Sequence, residues 1–209
     1  RSYMLVGGMP EAVATYTETG SYRYSSDIVN EIIQGYQDDF AKYGAKANPL
    51  LLRQTLISVA HQAGAKFVYS RVEGQYRSAE VKVALEMLKD AGLIIPTYHT
   101  DANGVPLGAE INERVVKYLI HDTGVLLGIL GIDDDIDERI KEMMVADSID
   151  LVDKGHVAEM MAGLELIKYS SPQKRHQLYY WQNMNKGTCA EVDYVIARSG
   201  SIVPIEVKS

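Results

Sequence analysis

A single cysteine, Cys189, stands among the 209 residues. That excludes a disulfide framework and any zinc site built on several thiolates, and it fits a reducing, cytoplasmic compartment. No stretch approaches the roughly 18 consecutive apolar residues of a membrane span, so no membrane partner is expected. No secretory signal is visible, and no internal repeat or low-complexity tract interrupts the chain. The five histidines, His61, His99, His121, His156 and His176, show no metal-ligand spacing and read as structural. What is present is ordinary for a globular chain: 46% hydrophobic and 23% charged residues, with a length suited to one large domain or two small ones. The chain opens Arg1-Ser2-Tyr3 and stops at Ser209 just after a strand-like run, as expected of a piece of a longer protein.

The net charge of −7 would discourage nucleic acid if it were spread evenly. It is not. Residues 132–153 hold nine acids and two bases, which leaves nineteen of each sign for the rest. Global charge therefore decides nothing about a polyanionic partner.

Apolar spacing predicts a helix over 25–43 (Ile28, Ile32, Ile33, Tyr36 and Phe40), capped by Ser26 or Asp27 and closed by Gly44. Asn48-Pro49 opens a second helix that runs to Gly64. Ser78 is expected to cap a third, over 79–91, with Val81, Ala84, Leu85 and Leu88 inward. A hairpin should follow, Leu93–Thr100 turning at Asn103-Gly104 and returning over Val105–Ala109. Val115–Ile120 reads as a buried strand, Thr123–Leu130 as a short helix, and the acidic segment as a solvated helix. A long helix from Gly155 to about Lys168 precedes strands at 177–182, 191–198 and 201–208. The soft boundary at 110–135 suggests parts at 1–115 and 116–209. The fold class expected is α+β, a helical and winged helix-turn-helix part followed by an α/β part.

The order helix, helix, hairpin is that of a winged helix, whose second helix offers its outer face to a DNA groove or to a protein. Arg77, Lys82 and Lys89 are the bases available there. Glu80, Glu86 and Asp90 oppose them, and the wing loop Thr100–Gly104 has no base. DNA contact and protein contact both remain open.

The end of the chain, EVDYVIARSGSIVPIEVK over 191–208, is two apolar runs around Ser199-Gly200. A turn centred there pairs residues whose numbers sum to 399. Asp193 then faces Glu206, and Glu191 faces Lys208, all on one side of the pleat. The other side is apolar throughout, so the hairpin is expected to be buried on both faces with its ionisable groups at one end. Two carboxylates and a lysine in that position suit a divalent-metal phosphodiesterase site; an ion-pair cluster uses the same residues. Glu159, whose helical face is shared by Ala162, Gly163 and Leu166, could add a third carboxylate, with Glu165 as its rival. Tyr179, Tyr180 and Trp181 read as core, and Cys189 has no assigned role.

Asp193 followed by Glu206-Val207-Lys208 resembles the Asp…Glu-x-Lys signature of the PD-(D/E)XK nuclease-like fold. More specifically, the chain resembles the uncharacterised C-terminal region of bacterial and archaeal AAA-type ATPases. Seven ordered pieces carry that resemblance: Gly7–Val13, Leu88–Ile94, Lys117–Leu126, Gly155–Glu159, Tyr179–Trp181, Glu191–Tyr194 and Ile205–Lys208. A bulkier pair than Val157-Ala158 would be usual before the glutamate. The resemblance implies an upstream ATPase module that alone binds ATP. Neither Gly7-Gly8 nor Lys186-Gly187-Thr188 forms the Gly-x-x-x-x-Gly-Lys-(Ser/Thr) phosphate loop, and residues 125–134 only superficially resemble a magnesium-holding Walker B strand. The resemblance also implies a nuclease-like part in which Glu159, Asp193 and Glu206 hold Mg or Mn with Lys208 beside them. The expectation is an accessory region of an AAA-type ATPase that recognises nucleic acid, weakly, or a protein partner. An active Mg-dependent nuclease and a structural or oligomerisation platform are the alternatives.

Overall fold

The computed structural model describes residues 2–43, 47–131, 154–170, 177–183 and 190–208. Gly44, the acidic segment 132–153, His176, Lys186-Gly187-Thr188 and Cys189 lie outside them. The fold is α+β. Among the described residues, α1 (Ser2–Val6), α2 (Pro10–Thr19), α3 (Tyr22–Phe40), α4 (Pro49–His61) and α5 (Ser78–Asp90) precede the first strand. Then come β1 (Ile94–Thr100), β2 (Ile111–Ile120), α6 (Thr123–Ile129), α7 (Lys154–Lys168), β3 (Leu178–Gln182), β4 (Glu191–Val192), β5 (Tyr194–Arg198) and β6 (Ser201–Ile205).

The helices form where sequence spacing places them, with shifted caps. In α5 the four residues turned inward by helical periodicity, Val81, Ala84, Leu85 and Leu88, are the four that are buried. Its N-cap is Arg77 rather than Ser78, because Glu80 reaches back to accept from the Arg77 backbone N–H at 2.8 Å. Helix α3 starts earlier than Ser26 for a similar reason. Ser21 is extended and its hydroxyl accepts from Tyr24 N–H at 3.4 Å, while the helical, buried Ser25 donates to the Ala12 carbonyl at 3.0 Å. Asn48 caps α4 through Leu50 N–H at 2.9 Å, with Pro49 in its first turn.

A mixed sheet in the order β2-β1-β3-β4 forms the second layer. β1 pairs antiparallel with β2 and parallel with β3. The wing hairpin is therefore longer than expected. The return does not run over 105–109: Pro106 has no N–H for a ladder, and Leu107–Glu110 coil into a 3₁₀ turn. The chain re-enters the sheet at Ile111, and Val115–Ile120 is the far half of that same return strand. Between Tyr98↔Val116 and His99↔Asn112 the register jumps, so that Glu113–Val115 bulge out of β2. The core lies where α4, α5, α6 and α7 meet the sheet, around Leu52, Leu56, Leu85, Leu88, Ile94, Leu119, Ile120, Leu126 and Met160.

The terminal hairpin has the register read from sequence: Tyr194↔Ile205 through Arg198↔Ser201 all sum to 399. Ser199 and Gly200 both take positive φ, 50° and 77°, as a type I′ turn requires. Its environment differs from expectation. β5 and β6 form a separate two-stranded sheet. Only Tyr194 and Val195 are buried, whereas Ala197 and Pro204 are exposed. Apolar composition on both sides of a hairpin does not bury both sides when only its base, at Tyr194, reaches the core.

Two glycine pieces singled out by sequence interlock around Asp122. The Asp122 carboxylate caps α6, accepting Val125 N–H at 3.0 Å, and also accepts Gly8 N–H at 2.6 Å. Gly7 sits at φ 75°, and a Cβ there would overlap the Asp122 carboxylate. A Cβ on Gly124 would lie 2.6 Å from the Val6 carbonyl oxygen. The Gly7-Gly8 and Asp122-Thr123-Gly124 pieces are thus two halves of one contact.

Candidate functional site: a buried polar face on the sheet

Strand alternation sends Thr97, His99, Lys117 and Tyr180 to the same side of the sheet. Thr97 pairs with Lys117, and His99 pairs with Tyr180. Glu191 joins them through its pairing with Gln182, and α7 lays Glu159 over the top. Lys117 is 2% exposed, so its ammonium must find partners. It donates to Glu159 Oε1 at 3.0 Å and pairs with Glu191. It also sits 5.0 Å from the Tyr180 ring centroid. Burial acts to lower the Lys117 amine, but the Glu159 and Glu191 carboxylates outweigh it, and its pKa is raised. Glu159 is pushed above the usual carboxylate range, first by burial and further by Asp193 and Glu191, against the opposing pull of Lys117.

The helix that carries Glu159 is held close by Gly163. Tyr194 Oη lies where a Cβ on Gly163 would be, and it donates to the Glu159 carbonyl at 2.8 Å. Val157, in the atypical pair before the glutamate, is 1% exposed and packs in the core.

Of the four residues expected to carry chemistry, the structure brings Glu159 and Asp193 into one electrostatic neighbourhood. Asp193 Oδ2 accepts Val207 N–H at 2.8 Å. Glu206 and Lys208 follow the end of β6 and are exposed. The ammonium beside Glu159 is that of Lys117. Glu165, the rival helix carboxylate, is exposed and pairs with Lys168 at 2.7 Å. Among the described residues, no three His, Cys, Asp or Glu side chains converge as metal ligands would. With one Glu159 oxygen given to Lys117 and one Asp193 oxygen given to an amide, this donor set suits an ammonium group better than a divalent cation.

Lys117 is the residue that local sequence patterning passed over. The signal was available, since a lone lysine inside Val115–Ile120 cannot be buried without an acid from elsewhere. Thr97 Oγ1, His99 Nδ1 and Tyr180 Oη, all buried on this same face, have no hydrogen-bond partner among the described residues.

At the winged-helix surface, Arg77 and Lys82 are exposed, and Lys89 is tied to Glu86. Val83 is 49% exposed between them.

Fold and site together define an α+β chain in which the wing strands β1 and β2 share one mixed sheet with β3 and β4. By family, the chain belongs to the domain of unknown function DUF8612, whose model matches residues 1–136. A second domain of unknown function, DUF4143, matches residues 154–209 and is found in AAA-ATPase-associated proteins. No curated protein and no solved structure matches the chain. No helix among the described residues is long and apolar enough to cross a membrane.

Proposed function

We propose that this chain is the accessory region of an AAA-type ATPase and that its winged-helix part recognises a protein, its own ATPase module included, rather than DNA. The observation that carries this reading is the outer surface of α5. A DNA-reading helix gains most of its affinity from bases that neutralise phosphates. Here Lys89 is occupied by Glu86, while Glu80 and Asp90 share the helix with Lys82. Val83 stands half exposed in the middle, which suits a protein partner and adds nothing on a phosphate backbone. The arrangement around Glu159 supports the non-enzymatic side of the reading, because the acid that a nuclease would offer to a metal is engaged by Lys117.

The test has two arms. Anisotropy with a labelled duplex should give a dissociation constant no tighter than about 10 μM near 0.15 M salt, in the range of non-specific binding. Calorimetry with the separately produced ATPase module should show association that Val83→Glu weakens. Submicromolar duplex binding lost in Lys82→Ala would overturn the protein reading. Plasmid cleavage in Mg or Mn that disappears in Lys208→Ala would restore the active nuclease.

A further inference from the structure

The side of α5 that faces α4 carries two apolar cavities, one after the other along the helix. The first, about 250 Å³, lies between Ala47 and Leu51 at the start of α4 and Tyr76, Glu80 and Val83. The second, about 290 Å³, lies between Phe40, Leu52, Met87, Asp90 and Ala91. At about 100° per residue, Glu80, Val83, Met87, Asp90 and Ala91 form one stripe of roughly 100° width. Lys82 and Lys89 point about 100–120° away from Val83, toward the wing. Lys82 indeed lines a separate cavity there, with His99, Asp101 and Arg114. The helix thus turns its lysines toward the wing, where Asp101, Glu110 and Glu113 share the cavity with Lys82 and Arg114, and an acidic, apolar flank toward α4.

The geometry points to an interaction groove along α4 and α5 whose occupant is a basic amphipathic helix. This rests on the protein-recognition reading above and names its partner's chemistry. Val83 and Asp90, one in each cavity, are seven residues apart, about 10 Å along the axis. A helix laid in the groove therefore sets two apolar anchors at i and i+7, the spacing of helix-in-groove recognition. Each cavity has room for a large apolar side chain. Each also has one acid in its wall, Glu80 or Asp90, and no base among the described lining residues. Among the described residues near the cavities, Lys89 pairs with Glu86 and Lys42 with Asp39 at 2.5 Å, while Arg77, whose backbone N–H donates to Glu80, is an exposed base beside the first cavity. Bases flanking the two anchors meet the Glu80 and Asp90 carboxylates, whereas acids there would be repelled.

The experiment uses the whole chain and two fluorescent 18-residue helical peptides. Both carry Leu and Phe at i and i+7; one has lysine and arginine at its flanks, the other glutamate. The basic peptide should bind at least tenfold tighter. Val83→Lys and Asp90→Lys should each weaken it fivefold or more, with circular dichroism confirming unchanged folding, since both positions are surface ones. Lys82→Ala, on the opposite flank, should leave binding unchanged. Equal binding of the two peptides, no binding of either, or indifference to both lysine substitutions overturns the inference. If the ATPase module binds through Val83 but the basic peptide neither binds nor competes, the groove assignment falls while the protein-recognition reading stands. If neither associates, both fall.

Discussion

Strand β2 buries a lysine in its apolar half and an aspartate just past its last residue, and the two charged groups are satisfied by different chemistry. Past its last residue, Asp122 takes two backbone N–H groups, from Gly8 and Val125. In its middle, Lys117 reaches across to Glu159 and Glu191. Backbone amides are neutral and do not titrate, so the donor side of the first contact depends on backbone shape. The second depends on an ionised partner supplied by another element. Glycines therefore mark the first in the sequence, while the second is distributed over β2, β4 and α7 and leaves no local pattern.

The largest effect should come from breaking the second contact. Lys117→Met leaves Glu159 buried without its ammonium and should cost about 3–5 kcal/mol, the usual penalty for orphaning one member of a buried pair. Urea unfolding measures it. Lys117→Met with Glu159→Leu should recover most of the loss, because Glu191, with its side chain 34% exposed, can remain hydrated. A single-variant cost below about 1 kcal/mol would mean that Glu159 relaxes to solvent and that the pair is peripheral.

Breaking the first contact should cost less. Gly7→Ala forces a Cβ into the Asp122 carboxylate at a positive φ, for an expected loss of about 2–3 kcal/mol from strain and a displaced hydrogen bond. Asp122→Ala removes the acceptor for both amides. The two changes act on one contact, so the double variant should lose less than the sum. Additive losses would show that Gly7 is strained for a reason unrelated to Asp122.

The two regions should also separate by pH. Glu159 has its pKa raised in the folded chain, burial being the first cause. A raised carboxyl pKa means that the folded state holds the proton more tightly than the unfolded one. The stability it contributes is complete below the ordinary glutamate range and is lost as pH rises through the folded value. Urea midpoints across the mildly acidic range should therefore fall with rising pH, less so in Glu159→Gln. In Lys117→Met the fall should steepen, since the opposing pull is gone. A flat wild-type profile that Glu159→Gln leaves unchanged would contradict the assignment.

This contrast explains what was legible in the sequence. Helix faces are local: Val81, Ala84, Leu85 and Leu88 could be turned inward without knowing their neighbours. The hairpin register was legible because Ser199-Gly200 fixes it by turn geometry. Where the hairpin sits was not, because burial depends on what else reaches it, and only Tyr194 and Val195 are buried. The wing return was misplaced by a favoured turn pair, Asn103-Gly104, next to a proline that cannot join a ladder. Asp193 and Glu159 were found through a pattern of residue types. Lys117 opens one of the resembling pieces, Lys117–Leu126, but no pattern of residue types pairs it with an acid, and it needed the fold to bring Glu159 and Glu191 to it.

The smallest effect belongs to the surface counterpart of the Lys117 network, the Lys89–Glu86 pair on α5. Its side chains are 30% and 50% exposed, so water screens it and either partner remains solvated when the other is removed. Glu86→Ala should change stability by less than about 0.5 kcal/mol, and about 1 M salt, where the screening length is roughly 3 Å, should erase the difference. The Lys117→Met penalty should survive the same salt, because the cost of burying an unpaired carboxylate is not a long-range interaction that ions can screen. Urea midpoints of both variants at low and high salt test this together. If salt relieves both equally, Lys117 and Glu159 are hydrated in solution, and the contrast between a buried network and a surface pair collapses.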